Sequence, residues 1–313
     1  MVAPRATLVL LVFNQLATVR DAALACLAQD CEPIEILFSD DASTDGSYEW
    51  LQTVVATYQG PHQLTLRRNE CNLGIGGHYN AIVQASRGEL IITAAGDDIS
   101  HVHRVRRLLQ AWDASGQKLD LIASHAVDMD AHGVDHGILK VDPLSDWRCP
   151  ADWVRKRPYV IGATHAFTRR MHRRFGDLAP ALRYEDQVMA LRATLGGGGW
   201  TVAEPLVRYR RGGLSSRETR GTRPSHLDRL RKKYGQQALL YGQIQQDLAQ
   251  VERSALWPGK LDQTHRRALA VLRMAGERQS VQSARGGAKG TGWFWWLRYT
   301  CYVRMLRWLD DRC

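Results

Sequence analysis

The apolar positions of the first hundred residues follow two alternating rhythms. Residues 6–13 (Ala-Thr-Leu-Val-Leu-Leu-Val-Phe) form a near-continuous apolar run with β-branched members, the pattern of a strand buried on both faces. Residues 14–30 carry Leu16, Val19, Ala23, Leu24 and Leu27 near a 3.6-residue period, which predicts a helix. A second strand is predicted over 34–38, running into Ser39, Asp40 and Asp41. A helix over 45–58, a strand over 63–67, a helix over 77–86 and a strongly apolar strand over 89–95 follow.

Strands joined by helical crossovers predict a mostly parallel sheet with helices on both faces. Such sheets bind ligands beyond the carboxyl ends of their strands. The polar residues at those ends are Asn14, Asp40 with Asp41, and Asp97 with Asp98. From 103 to 199 the pattern is less regular. Gly196, Gly197, Gly198 and Gly199 are expected to end a helix in a flexible link, ahead of a short strand over 200–203. This quartet lacks the order of a phosphate-binding loop. Beyond 216 the composition shifts to long polar helices rich in Arg, Gln, Ala and Leu, and a boundary is placed there.

Composition narrows the partners. The formal charge of +10 asks for something anionic, and nucleic acid, anionic lipid and phosphorylated substrates all qualify. The six cysteines show no C-x-x-C spacing, which predicts reduced thiols rather than a zinc site or a disulfide framework. No run reaches about 18 apolar residues, so no membrane span is expected.

Two carboxylate doublets, Asp40-Asp41 and Asp97-Asp98, close two strands of one sheet. A helix cap needs one carboxylate, so Asp45 is read as readily as a cap, whereas the doublets ask for more. Paired oxygen ligands suit Mg²⁺ or Mn²⁺ bridged to substrate phosphates.

In this order and spacing, residues 6–98 resemble the family 2 glycosyltransferases. The matching pieces are Phe13-Asn14, Gln29, the string Asp40-Asp41-Ala42-Ser43-Thr44-Asp45-Gly46-Ser47, Asn72-Leu73-Gly74, Asn80, Ala85-Ser86-Arg87-Gly88-Glu89 and Gly96-Asp97-Asp98. The resemblance implies an α/β protein of the GT-A type: a Rossmann-like, mostly parallel central sheet with helices on both faces, here with a C-terminal α-helical extension. It divides the chain into a nucleotide-sugar-binding half (1–100), an acceptor-binding half (101–216) and a basic, Trp-rich helical extension (217–313). It implies an inverting transfer from a nucleotide-diphosphate sugar, with UDP favoured, to a glycan or lipid-linked acceptor in surface-polysaccharide or lipopolysaccharide assembly.

By the same resemblance Leu11, Phe13 and Asn14 line the base and ribose site with Asn72 and Gly74, and Asp40 or Asp41 meets the base. Asp97 and Asp98 take the place of the metal motif, with Mn²⁺ or Mg²⁺ as the cofactor. Ala95 stands where that motif usually begins with an Asp, which leaves open whether Asp97 or Asp98 is the ligand. In the second half Gly162-Ala163-Thr164, Phe175-Gly176-Asp177 and Tyr184-Glu185-Asp186-Gln187 resemble the acceptor loop and the base motif. That makes Asp186 the base and Glu185 its assistant, since an inverting transfer needs one carboxylate to take the acceptor's proton. Without the family, the pair reads equally as acids at a helix N-terminus. Val207-Arg208-Tyr209-Arg210 resembles the closing strand, but the histidine that usually follows is missing, and Arg210 or Arg211 is expected to bring positive charge to the diphosphate.

The tail is the most aromatic segment. On a helix over 293–309, Trp295, Tyr299, Tyr302, Leu306 and Leu309 share one side, with arginines off it. Such a stripe suits a bilayer interface, which would place the protein peripherally on the cytoplasmic face of a membrane. Packing on the core or on a second subunit is the alternative. Two other classes compete with the transferase. A sugar-nucleotide nucleotidyltransferase would want a Gly-rich basic loop after the first strand, and Asn14-Gln15-Leu16-Ala17 is not one. A nucleic-acid-binding protein would use the arginines around 208–233 but leaves the acidic doublets unexplained, so no nucleic acid is expected.

Overall fold

The computed structural model describes residues 4–211 and 226–253. Its chain divides into two compact units, one of Met1–Trp147 with Pro158–Glu218 and one of Arg148–Arg157 with Thr219–Cys313.

In the first unit β1 (Ala6–Val12), α1 (Val19–Leu27), β2 (Glu35–Asp40), α2 (Ser47–Thr57), β3 (Gln63–Arg68), α3 (Gly74–Ala85) and β4 (Leu90–Ala95) follow in strict alternation. Next come β5 (Ile99–Ser100), α4 (Arg104–Ala114), β6 (Leu121–Met129) and β7 (Asp135–Leu139). The second unit holds α5 (Pro150–Arg155) and α8 (His226–Arg253), and the first unit resumes with β8 (Ala166–Thr168), α6 (Arg169–Phe175), α7 (Glu185–Leu195) and β9 (Gly199–Arg210).

The strands form one sheet in the order β3-β2-β1-β4-β8-β6-β9-β5, with β7 beside β6. Its first four strands are parallel, in a register that sets Leu11 between Ser39 and Ala95. Beyond β4 the sheet turns mixed. β8 runs antiparallel to both β4 and β6, while β6 and β9 pair in parallel. The core under the first four strands is built from Leu8, Leu10, Ile36, Phe38 and Ile92, each fully buried, as their unbroken apolar runs require.

Two helix starts differ from the sequence expectation. The helix predicted from residue 14 begins at Val19. Asn14 adopts a left-handed φ of 50°, and its N–H and that of Leu16 donate to Ser43 Oγ and Asp45 Oδ2 rather than entering a helix. Leu16 and Leu24, counted on the apolar face, are about half exposed at 46% and 52%. Conversely, α3 starts at Gly74, three residues before the predicted 77, because Asp41 accepts its orphan N–H groups.

The glycine quartet departs from the flexible link expected of it. The Gly197 N–H donates to Asp120 Oδ2 at 2.6 Å, and a Cβ at Gly197 would lie 2.2 Å from the Lys118 carbonyl oxygen. The strand after it runs twelve residues rather than the predicted four. In the second unit, α8 carries the buried residues Leu240, Ile244, Leu248 and Val251, a stripe of helical period. The Trp-rich stretch over 293–309 lies outside the described residues.

Candidate functional site

The carboxyl ends of β2 and β4 and the start of α7 carry the candidate carboxylates. β1 ends at Val12, and Asn14 in its left-handed turn reaches across to the loop after β2, where its Oδ1 accepts the Thr44 N–H at 2.8 Å. Leu11 and Phe13 are half-buried beside it.

Asp40 and Asp41 follow each other but do different things. Asp41 is saturated: Oδ1 accepts from Asn69 Nδ2 (2.7 Å) and the Leu73 N–H (2.9 Å), and Oδ2 from the Gly74 N–H (3.2 Å). Asn72 assists, accepting the Gly74 N–H at 2.8 Å. Asp40 is fully buried, and its Oδ1 accepts the Ser43 N–H (2.9 Å) beside the Arg68 guanidinium (3.4 Å). Asp40 Oδ2 meets no donor among the described residues. A buried, ionisable oxygen left without a donor is costly, and an ordered water, an ion or a bound ligand is the ordinary reason for one. Gly46, not Asp45, is the N-cap of α2; Asp45 stands one residue before it and accepts from the Ser47 N–H and hydroxyl and from the Leu16 N–H.

At the end of β4 the chain turns sharply through Gly96, whose N–H donates to the Leu11 carbonyl at 2.9 Å and whose Cβ position would fall 2.5 Å from Gln15 Oε1. Asp98 is buried. Its Oδ1 accepts the Arg210 N–H at 2.8 Å, and its Oδ2 has no donor among the described residues. Burial and the adjacent Asp97 push the Asp98 carboxyl up to about 8. An oxygen so held is the kind of ligand a divalent cation would satisfy, and Asp97 is its neighbour on the turn. Among the described residues no group of three or more His, Cys, Asp or Glu converges on one point. A cation here would therefore take its remaining ligands from phosphates and water, the habit of Mg²⁺.

The two arginines of the closing strand are engaged with protein. Arg210 donates through Nε to the Asp97 carbonyl (2.9 Å) and through Nη1 to the carbonyls of Asp130 and Ala131. Arg211 pairs with the Asp128 carboxylate through Nε (2.6 Å) and Nη2. Arg210 thus holds the Asp97-Asp98 turn through both its backbone and its side chain.

Glu185 and Asp186 open α7, half-buried. The loop before them is fixed on α3: Asn80 exchanges two hydrogen bonds with Leu178, and the Gly77 N–H donates to the Pro180 carbonyl. Gly162 is pressed against the pair, since a Cβ there would lie 2.8 Å from Glu185 Oε1 and 3.6 Å from Asp186 Cβ. Burial, then the neighbouring Asp186, pushes Glu185 up to about 8, while burial pushes Asp186 up to about 6. Two carboxyls so split can leave one ionised and one protonated at neutral pH. Thr93 of β4 joins this corner to the other, its hydroxyl donating to the Gly162 carbonyl at 3.0 Å.

Sequence reasoning missed Arg104, Thr93 and Asp120, which sit behind these groups. Arg104 stands four residues before Leu108 on the apolar face of α4, a spacing that would have marked it as buried.

Residues 7–170, just over half of the chain, match glycosyl transferase family 2. The chain belongs to this family. Among curated relatives, it is similar to the succinoglycan biosynthesis protein ExoO of Rhizobium meliloti, 29% identical over 42% of this chain and 36% of the relative. It is also similar to the putative glycosyltransferase EpsE of Bacillus subtilis, 25% identical over 33% of this chain and 37% of that one. The matched part thus spans about a third of these relatives' own length.

Among solved structures, S. aureus TarS 1–349 in complex with UDP-GlcNAc superposes with a TM-score of 0.58 at 13% identity, covering 89% of this chain and 73% of that one. The mannosyltransferase PcManGT from Pyrobaculum calidifontis, in complex with GDP-Man and Mn²⁺, gives 0.53 at 16%, covering 99% and 86%. At these identities the likeness is one of fold, and the fold is that of GT-A transferases. Among the described residues no helix is long and apolar enough to cross a membrane.

Proposed function

We propose that this protein is an inverting sugar transferase that takes its donor from a nucleotide-diphosphate sugar, UDP-linked by preference, and delivers it to a hydroxyl of a glycan or lipid-linked acceptor. The observation that carries the reading is the pairing of two carboxylate sites: Asp97-Asp98 after β4, and Glu185-Asp186 against the Gly162 turn that Thr93 ties back to β4. Family membership supplies the reaction class.

Asp40 offers its unpartnered oxygen to a base N–H, while Asp41 shapes the loop through Leu73 and Gly74. Leu11, Phe13 and Asn14 line the base and ribose. Asp97 and Asp98 would hold Mn²⁺ or Mg²⁺, which offsets charge on a departing diphosphate. Burial raises both carboxyls of the pair, and Asp186, the less raised of the two, takes in its ionised form the proton from the attacking acceptor hydroxyl. Arg210 keeps the Asp97-Asp98 turn in place.

Two likenesses support the substrates: a relative named for succinoglycan biosynthesis, and a structural neighbour holding UDP-GlcNAc. A lipid-linked acceptor would be met at the cytoplasmic face of a membrane, with the tail over 293–309 as the contact. Flotation with anionic liposomes, with and without residues 290–313, tests that part. The donor is tested by thermal shift across UDP, GDP and dTDP with and without Mn²⁺. One nucleotide should stabilise the protein, by about 2.7 kcal/mol at a hundredfold excess over Kd, and only with the cation. Equal stabilisation in excess chelator overturns the metal assignment, and no stabilisation by any nucleotide overturns the reading.

A further inference from the structure

Arg104 opens α4 with its side chain fully buried. Burial pulls its guanidinium down to about 10, so it stays charged at neutral pH. A buried cation of this kind needs partners, and both terminal nitrogens of Arg104 have them, while its Nε meets no acceptor among the described residues. Nη1 donates to Ser100 Oγ at 3.0 Å, and Nη2 donates at 2.7 Å to both the Thr93 and the Ala163 carbonyls.

Those three partners belong to different parts of the site. Thr93 lies on β4, four residues before Asp97, and Ser100 lies on β5, two residues after Asp98. Ala163 is the middle of the Gly162–Thr164 turn, whose glycine packs on Glu185 and Asp186. One planar group therefore grips the segments on both sides of the Asp97-Asp98 turn together with the turn that seats the acid pair. The Thr93 hydroxyl runs beside it, donating to the Gly162 carbonyl and lying 3.2 Å from the His165 carbonyl. The His165 ring, fully buried against this charge, is held neutral by burial and by Arg104. It has no partner on either nitrogen among the described residues.

We propose that Arg104 is a positioning residue that sets the placement of the acceptor-side pair Glu185-Asp186 relative to the donor-side pair Asp97-Asp98. The inference rests on the transferase reading above. A displacement reaction needs its two reacting atoms within about 3–3.5 Å, and an error of about 1 Å costs roughly 10²-fold. A rigid fork bonding two carbonyls at once can hold such a spacing. A lysine ammonium on a flexible stem keeps the charge but not the fork.

The test uses full-length Arg104→Lys and Arg104→Gln, with a UDP-sugar panel, Mn²⁺ and p-nitrophenyl glycosides as acceptors. The readout is the ratio of sugar transfer to donor hydrolysis, which a loss of folded enzyme does not move. Water is small and needs no seating by the acid pair, so hydrolysis should persist while transfer falls. The ratio is expected to drop about tenfold or more in both variants, with UDP–Mn²⁺ affinity by calorimetry little changed. A ratio equal to wild type in Arg104→Gln, or restored in Arg104→Lys, overturns the proposal.

Hydrogen exchange reads the same link without an acceptor. UDP–Mn²⁺ should slow exchange at Thr164 and His165 in wild type and not in the variants; slowing that persists in the variants counts against the link. Should both variants fail to fold, Thr93→Val, which keeps the shape and removes the hydroxyl's bonds to the Gly162 and His165 carbonyls and to Tyr79, must lower the same ratio. An unchanged ratio there overturns the proposal. Failure of the transferase reading shows separately, as wild-type protein that binds no nucleotide.

Discussion

The sheet edge of β1 to β4 and the corner built by β8, α7 and β9 both present carboxylates, yet they hold them by opposite means. In the first region Asp41 and Asp45 are gripped by backbone N–H groups, Asp41 by Leu73 and Gly74, Asp45 by Leu16 and Ser47, while Asp98 is set chiefly by burial. In the second, Glu185 and Asp186 are placed by packing from remote segments, the Gly162 turn and the loop docked on Asn80. Carboxylates fed by N–H donors favour their charged form, while those confined by burial favour the neutral one. Asp41 and Asp45 thus fix the loops of the first region, whereas Glu185 and Asp186, and Asp98 with them, are pushed toward the protonated form.

The contrast breaks first at Asp120. This buried carboxylate accepts from Thr168 Oγ1 (2.8 Å), Arg170 Nε (2.9 Å) and the Gly197 N–H (2.6 Å), joining β8, α6 and the glycine turn of the second region. Asp120→Ala strands those donors, and a loss of about 3–5 kcal/mol is expected in urea unfolding. If the glycines were a slack link, the loss would be no more than a surface substitution gives.

Chemistry is the next largest effect. Asp186→Asn keeps the shape but cannot accept a proton, so turnover should fall roughly 10²-fold or more with nucleotide affinity unchanged. Near-normal turnover would move the base to Glu185.

The same contrast explains what the sequence could tell. β1 to β4 are apolar on both faces, so each strand announces itself locally, and the strings from Asp40 to Ser47 and from Gly96 to Asp98 are read from neighbours in the chain. The segment over 121–129, Leu-Ile-Ala-Ser-His-Ala-Val-Asp-Met, alternates poorly; its second half pairs with nearby β7, but its place in the sheet comes from β8 and β9, more than forty residues away. Periodicity cannot see that. The division of labour between Asp40 and Asp41 was equally invisible, because it depends on where Asn69, Leu73 and Gly74 arrive from β3 and α3. Arg210 and Arg211 look free as a basic pair in sequence, whereas carbonyls and Asp128 occupy them.

That division can be sharpened by a paired measurement. Asp40→Asn leaves the loop anchors intact and should weaken UDP–Mn²⁺ binding about tenfold, the worth of one hydrogen bond to a charged group. Asp41→Asn should do the reverse on stability, loosening the start of α3. Calorimetry and urea unfolding on both variants decide it, and equal affinity losses would show that both carboxylates face the base.

The pH dependence of the acid pair separates binding from proton transfer most directly. The pair at α7 gives up its first proton near Asp186's raised value of about 6 and its second near Glu185's value of about 8. A base must be ionised to act, so transfer should climb with pH through about 6 and stand about tenfold below its plateau one unit under it. Stability runs the other way. Because both folded values are raised above the unfolded ones, the pair's contribution is complete below the unfolded carboxylate range, near 4, and is lost as pH rises through about 6 and then about 8. Nucleotide-free protein should therefore lose melting temperature between pH 5 and pH 9 from this pair, at roughly 2–4 °C per kcal/mol. Glu185→Gln removes the upper step and should flatten the stability curve above pH 7, while the rising limb of activity stays. A rate that falls as pH climbs through 6, or a melting curve in Glu185→Gln that keeps its full slope, would show that the corner is not a shared-proton site.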